Sequence, residues 1–422
     1  MNPITSLYYA SRRYLKAIRI FLVISGPGLL VMIADNDAGG ITTYAATGAQ
    51  YGYHLIWFLI LLAPVAYYVQ EMTVRLGAVT KRGHAEAIFE GFGAFWGWFS
   101  VIDLLLVDWL TLVTEFVGMT AALALFGVPP WLTVVGVCVL MGAMVLNGRY
   151  WTWEKIAMLF CVLNLIYIPG AFIVHPKVSD IFSQGLIPNF AGHFNAQMFF
   201  FLMANIGTTI APWMLFFQQS SVVDKGMKER DIPWGRADTL IGSVFTVVVA
   251  VFIVIVAGVV LHGQVIDDAG KAAATMMQTD RWLGSFMAIG LFDAGLLGAI
   301  CISLASSWAF GEIFGWAHSL NNKIREAPAF YINYIITLIT AGLVVLIPGA
   351  PLVLITLFVQ VVAVTLLPAA LVFLILLLND RETMGEFANT FSQNVICGII
   401  VGIIVVLSTL YGLSTLFPGL FG

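Results

Sequence analysis

Eleven apolar stretches, most of them about twenty residues or longer, follow one another along this 422-residue chain, and only 10% of its residues are charged. A soluble domain carries about 25% charged residues, whereas a run of roughly twenty apolar residues is what a helix needs to cross a bilayer. In hydrocarbon every backbone amide and carbonyl must be paired within the protein, which a helix does along its own length. The stretches lie near residues 18–50, 54–78, 95–126, 129–147, 152–175, 194–222, 238–262, 283–316, 328–348, 351–379 and 394–417, numbered here as segments 1 to 11. They describe an all-α polytopic membrane protein with one transmembrane domain over residues 1–422.

The basic residues orient this map. Of the 19 lysines and arginines, all but Lys177, Lys271 and Arg281 fall on one side, among them Arg12, Arg13, Lys16 and Arg19 before the first segment. The positive-inside rule then places the N-terminus in the cytoplasm and, after an odd number of crossings, the C-terminus outside a plasma (inner) membrane. Residues Met1 to Lys16 lack a short apolar core with a small-residue cleavage site, so the first segment reads as retained. Cys138, Cys161, Cys301 and Cys397 sit singly in apolar surroundings and read as packing residues. Aromatic clusters such as Phe95-Trp96-Gly-Trp98 at segment ends read as interface anchors.

Two segments break in the middle, at Ile33-Ala-Asp-Asn-Asp-Ala-Gly-Gly40 and at Ile206-Gly-Thr-Thr-Ile-Ala-Pro-Trp213. Non-helical backbone at membrane depth survives only where a cavity, an ion or a neighbouring helix satisfies it. Matching breaks in two halves of a chain point to the substrate site of a secondary transporter. The segments divide into five, five and one, each five beginning with a broken helix. That pattern fits an inverted repeat of the LeuT kind, with residues 1–175 as the first repeat, 194–379 as the second and 394–417 as helix 11. Of the connecting pieces, His84–Gly93 and Asp224–Ala237 read as helices on the cytoplasmic surface and Gln264–Arg281 as one on the outer surface.

An ionisable group inside a bilayer is costly and therefore a functional candidate. Asp37 lies in the first break and precedes Gly39 and Gly40, which permit close backbone approach. It reads as a cation ligand or as the cap of the second half-helix, and Asp35 as an ion-facing group or a cap. In the second break Thr208 and Thr209 offer oxygens, Pro212 frees the carbonyls before it, and Ala211 offers only its backbone. Gln360 stands alone in an apolar stretch, within reach of a central ion or of a neighbouring helix. Asp108 and Glu115 share a helical face, Glu71 and Arg75 are spaced for a local ion pair, and Asp293 precedes Ala294-Gly295 as at a tight crossing or a polar cavity wall.

Several motifs resemble the Nramp family of proton-coupled transition-metal transporters. They are Gly26-Pro-Gly-Leu-Leu-Val31 through Asp37 to Gln50-Tyr-Gly-Tyr53, Arg75-Leu-Gly77, Val79-Thr80, Ala85-Glu86, Thr114-Glu115, Leu125-Phe126-Gly127-Val-Pro129, Gln360-Val-Val362 and Leu367-Pro368. The resemblance implies the LeuT-type fold and a metal site at Asp37, Gly40, Thr208, Ala211 and Gln360, with Asp35 and Thr209 beside it. It also shows departures. The family's Asp-Pro-Gly-Asn motif reads Asp37-Ala38-Gly39-Gly40, and its Met-Pro-His motif reads Ala211-Pro212-Trp213. An acidic residue expected three positions before Glu115 is Leu112, and segment 9 has no arginine.

A thioether is a soft ligand, so its loss moves selectivity toward oxygen-preferring cations, with Mg²⁺ first and Mn²⁺ next. Replacing Met and Asn by Ala and Gly widens the site for an ion that keeps several waters. Losing the histidine removes the group best suited to exchanging protons near neutrality. The sequence therefore predicts an alternating-access importer of partly hydrated divalent cations, chiefly Mg²⁺, without proton coupling, similar to the prokaryotic Nramp-related magnesium transporters. The alternatives are a proton-coupled Mn²⁺/Fe²⁺ transporter and an amino-acid or organic-solute transporter of the same fold. No nucleophile constellation or nucleotide-binding loop supports an enzyme. The expected partners are the divalent ion and the lipid bilayer, with no cofactor, no nucleic acid and no obligate protein partner.

Overall fold

A computed structural model describes residues 23–146, 149–188, 195–266, 268–350 and 352–416. The basic cluster Arg12 to Arg19, the predicted start of segment 1 and Asp267 lie outside the described residues. The first segment forms α1 (Pro27–Ala34) and α2 (Ala38–Tyr51), followed by α3 (Ile56–Thr80), α4 (His84–Phe92), α5 (Ala94–Ala124) and α6 (Pro130–Val145). Segment 5 forms α7 (Tyr150–Leu163), a 3-10 turn over Asn164–Ile166 and α8 (Tyr167–Ile173), with α9 (Val178–Gly185) after it. Segment 6 forms α10 (Ala196–Gly207) and α11 (Pro212–Asp224). Then come α12 (Ile232–Val260), α13 (Ala269–Thr279), α14 (Arg281–Phe314), α15 (Pro328–Val345), α16 (Leu352–Asn379), α17 (Arg381–Met384) and α18 (Phe391–Leu416). No strand occurs among the described residues.

Every predicted segment is helical, and both breaks fall where the sequence places them. Eight helices among the described residues are long and apolar enough to cross a membrane. The other three segments are the broken α1–α2, the 16-residue α6 and α5, which carries Asp103, Asp108 and Glu115. The helices at 84–93 and 264–281 are present as α4 and α13. The one expected over Asp224–Ala237 is not: Asp224 ends α11, Gly226 turns the chain at φ 75°, and Pro233 sits in the first turn of α12. A left-handed glycine stops a helix and an early proline starts one, so two signals that the charged stretch masked divide it.

The broken helices occupy the middle of the bundle. α12 packs along α1, α2 and α3, α11 packs on α3, and α14 runs beside α5. Lipid gives no hydrophobic drive for helix association, so small residues that let backbones approach carry much of it. A Cβ on Gly48 would sit 2.4 Å from the Val254 carbonyl oxygen, so α2 and α12 meet there only because residue 48 has no side chain. Large apolar side chains such as Phe95, Val139, Leu159, Phe172 and Ile399 are exposed, a surface suited to hydrocarbon rather than water.

The Glu71–Arg75 pair forms, at 3.1 Å, but as part of a wider network. Arg236 reaches the other Glu71 oxygen at 2.8 Å, and Arg75 donates to the Phe387 carbonyl and to Asn389 Oδ1 at 2.9 Å each. This ties α3, α12 and the connection before α18 together near one membrane surface.

His84 begins α4 at the same end, outside the spanning segments. Its Nδ1 lies 2.8 Å from Gln219 Oε1 and its ring stands edge-on to Phe216. Burial outweighs that hydrogen bond and holds its pKa down to about 4. Unfolded, the ring titrates near 6.5, so the stability of the neutral buried form is complete above that pH and is lost as pH falls toward 4. The linkage amounts to roughly 3 kcal/mol. The expected outcome is a Tm that falls from pH 6.5 to 4 and falls less in His84→Gln, read by thermal unfolding across that range.

Candidate metal site between two broken helices

Asp35, Asn36 and Asp37 join α1 to α2 with every side chain buried. Asp37 has extended backbone, ψ 178°, and its Oδ1 accepts the Gly40 amide at 2.6 Å. It therefore caps α2, and both readings of this residue concern the same carboxylate. The next free amide, Ala38 N, donates to Glu115 Oε2 of α5 at 3.0 Å. Two carboxylates thus meet at one helix N-terminus, where the dipole favours negative charge. Glu115 Oε1, Asp35 Oδ2 and Asn36 Oδ1 have no hydrogen-bond partner among the described residues. The N-cap of α2 is thus Asp37 rather than Asp35.

In the second break, proline chemistry decides which oxygen is free. A helix continuing through residue 212 would pair its amide with the carbonyl four residues earlier, that of Thr208. Pro212 has no amide hydrogen. The Thr208 carbonyl instead accepts the Tyr44 hydroxyl of α2 at 3.3 Å, a long contact that links the two breaks. The hydroxyls of Thr208 and Thr209 both donate to the Asn205 carbonyl, at 3.2 and 2.8 Å. Ala211 stands apart, because its amide donates to Met214 Sδ at 3.2 Å and its carbonyl accepts from Met214 N at 3.1 Å.

α16 closes the site. The side chain of Gln360 lies against the first break and its backbone against the second: a Cβ on Gly39 would stand 2.1 Å from Gln360 Nε2, and one on Gly207 2.2 Å from the Gln360 carbonyl oxygen. Gln360 Nε2 has no hydrogen-bond partner among the described residues. A Cβ on Gly40 would meet the Asp35 carbonyl at 3.1 Å, Asp37 Oδ1 at 3.3 Å and Thr208 Cβ at 3.6 Å. Asp35, Asp37, Gly40, Thr208 and Gln360 therefore converge on one buried point, Thr209 lies beside it, and Ala211 is turned into its own helix. A side-chain amide can swing aside and a carbonyl cannot, so Gly207→Ala should reduce uptake and Tm far more than Gly39→Ala. Uptake and thermal unfolding of the two variants check this.

The sequence did not single out Tyr44 or Met214 here, and offered Asn36 only as a substitute ligand in the Mn²⁺/Fe²⁺ alternative. No group of three or more His, Cys, Asp or Glu side chains among the described residues could hold a metal ion by itself. Any cation held between the breaks would rely on one or two carboxylates together with carbonyl and amide oxygens, a hard donor set.

The chain matches the family model described as natural resistance-associated macrophage protein-like, Nramp, over residues 28–414. The divalent metal cation transporter MntH of Deinococcus radiodurans is 25% identical over 405 residues, 93% of this chain and 90% of its own length. MntH of Bradyrhizobium diazoefficiens is 26% identical over 424 residues, covering 92% and 89%. A mutant of the Eremococcus coleocola manganese transporter superposes at TM-score 0.78 and 22% identity, over 95% of this chain and 88% of that one. MhsT in complex with L-phenylalanine superposes at TM-score 0.54 and 12% identity, over 91% of this chain and 98% of its own. The two broken helices and these likenesses establish the LeuT-type fold, and the match over nearly the whole sequence shows that the chain belongs to the Nramp family.

Proposed function

We propose that this protein is an importer of divalent cations, chiefly Mg²⁺ and also Mn²⁺, and that it carries a partly hydrated ion between its two broken helices by alternating access. The observation that carries this reading is the donor set. The carboxylate of Asp37 and the carbonyl of Asp35 meet at Gly40 with Thr208 beside them, Gln360 lies against Gly39, and glycine at 40 and alanine at 211 stand where the family motifs have asparagine and methionine. The Asp35 and Asp37 atoms are hard oxygens, and Mg²⁺ binds one or two carboxylates while keeping several waters. The division into repeats over 1–175 and 194–379, with helix 11 over 394–417, belongs to the same proposal. So does a plasma-membrane location with a cytoplasmic N-terminus and an extracellular C-terminus.

The relatives' names favour a second reading, proton-coupled Mn²⁺ transport. Two local features fit it: Asp37 and Glu115 both lie 3.1 Å from where a Cβ on Gly298 would stand, and the Met214 thioether borders the second break. Competition in proteoliposomes separates the two. The hard-donor reading predicts saturable Mg²⁺ uptake that Mn²⁺ inhibits, with Cd²⁺ a poor competitor; Cd²⁺ uptake exceeding that of Mg²⁺ would favour the second.

A further inference from the structure

A third helix interruption lies in the bundle, away from the two breaks, and the proposed metal site does not use it. Between α7 and α8 the chain tightens into the 3-10 turn Asn164–Ile166, where Pro169 leaves the Leu165 carbonyl without its helical partner. Asn164 Nδ2 donates to Asp293 Oδ2 of α14 at 3.1 Å. Tyr167 follows Asn164 by three residues and so shares its face, and its hydroxyl lies 2.7 Å from where a Cβ on Gly290 would stand. Gly290 in turn shares a face with Asp293, three residues later on α14. The three polar side chains thus lie in the same seam between segments 5 and 8.

Each of them is buried, with exposures of 0% for Asn164, 3% for Asp293 and 4% for Tyr167. Asn164 Oδ1, Asp293 Oδ1 and the Tyr167 hydroxyl all lack a hydrogen-bond partner among the described residues. Among the described residues no lysine or arginine forms an ion pair with Asp293. A small cavity of about 10 Å³, lined by Tyr167, Gly170, Met276, Leu283 and Met287 among others, borders the tyrosine. The cluster is separate from the metal site, because Gly298, which faces Asp37 and Glu115, lies on a different side of α14 from Asp293.

We infer that Asp293, Asn164 and Tyr167 form a second ion site, which takes a monovalent alkali cation. One carboxylate balances a single positive charge, and the remaining donors are neutral oxygens, hard ligands that suit Na⁺. An amide, a phenol and a carboxylate that are buried together and unpaired are costly, and a bound cation satisfies all three. Such an ion would pin the interrupted segment 5 to α14, the helix that also faces the metal site.

The test uses the purified full chain in detergent without divalent metal. Thermal unfolding is followed as NaCl replaces choline chloride at constant ionic strength, at a fixed pH. The expected result is a saturable rise in Tm of several degrees with Na⁺, lost in Asp293→Asn and weakened in Tyr167→Phe. The tyrosine variant keeps the test valid if the Asp293 variant does not fold. No response to Na⁺ in the wild type, or an equal response in Asp293→Asn, overturns the proposal. A Tm that responds to pH through Asp293 and not to Na⁺ also overturns it, since the carboxyl would then hold a proton. Because no divalent ion is present, the result stands independently of which metal the central site carries.

Discussion

Asp37→Ala is expected to bring divalent-cation uptake down to that of empty liposomes, and Asp37→Asn to do the same. The pair matters because Asp37 has two jobs. Its Oδ1 caps α2 through the Gly40 amide, and in the proposed function its charge is the centre of the hard donor set. Asparagine still accepts that amide hydrogen, so it keeps the cap and loses only the charge. Alanine loses both, and losing an N-cap costs about 1 kcal/mol. Both variants should therefore lose transport, while only Asp37→Ala should show a lower Tm. Normal transport by Asp37→Asn would reduce Asp37 to a cap and move the ion elsewhere.

The second large effect is expected at the amino end of α1. This helix has eight residues and no side-chain cap of its own, so its first amides need outside partners. Asp238 of α12 supplies them: its Oδ2 accepts Gly26 N at 3.0 Å and Gly28 N at 2.7 Å. Beside it, Lys225 donates to the Ser25 carbonyl at 2.8 Å and to Glu154 Oε1 at 2.7 Å. Gly26 has φ 151°, and a Cβ there would fall 2.0 Å from Glu154 Oε1, so only glycine threads this junction. Asp238→Ala strands two buried amides, at about 1–3 kcal/mol each. The half-helix should then detach readily. A Ser25→Cys reporter, 7% exposed in the serine form, should react with a water-soluble maleimide about tenfold faster or more in the Asp238→Ala background. Equal labelling rates would mean that Asp238 does not hold α1 in place.

The spans were legible in the sequence because lipid demands long apolar runs, and the breaks because Asp37, Gly39, Gly40 and Pro212 are conspicuous in apolar surroundings. Asp37, Gly40, Thr208 and Gln360 were named as a set through the resemblance to the Nramp motifs, and the fold brings them near one another. What escaped depends on how helices rotate and meet. Tyr44 looks like a packing aromatic until α2 turns its hydroxyl toward Thr208, 164 residues away. The Asp238 link to Gly26 spans 212 residues, and Asp238 stood at a segment edge, where a carboxylate looks solvated. The Asn164 turn has its breaker, Pro169, four residues beyond Leu165, but only the contact with Asp293 shows what the turn faces. The Asp224–Ala237 stretch was misread because its charges suggested a surface helix while Gly226 and Pro233 divide it. Asp108, expected on a helical face with Glu115, accepts Ser306 Oγ of α14 at 2.6 Å, an interhelical bond.

The central claim is that this chain moves Mg²⁺ down its electrochemical gradient, to which the membrane potential contributes about 4.6 kcal/mol per divalent ion at 100 mV, without a proton. Mg²⁺ uptake into proteoliposomes, followed with a Mg²⁺-sensitive dye while a lumenal pH dye is read in parallel, tests it most directly. The account predicts saturable Mg²⁺ entry with no acidification of the lumen. Mn²⁺ and protons entering together, with no entry of Mg²⁺, would contradict it.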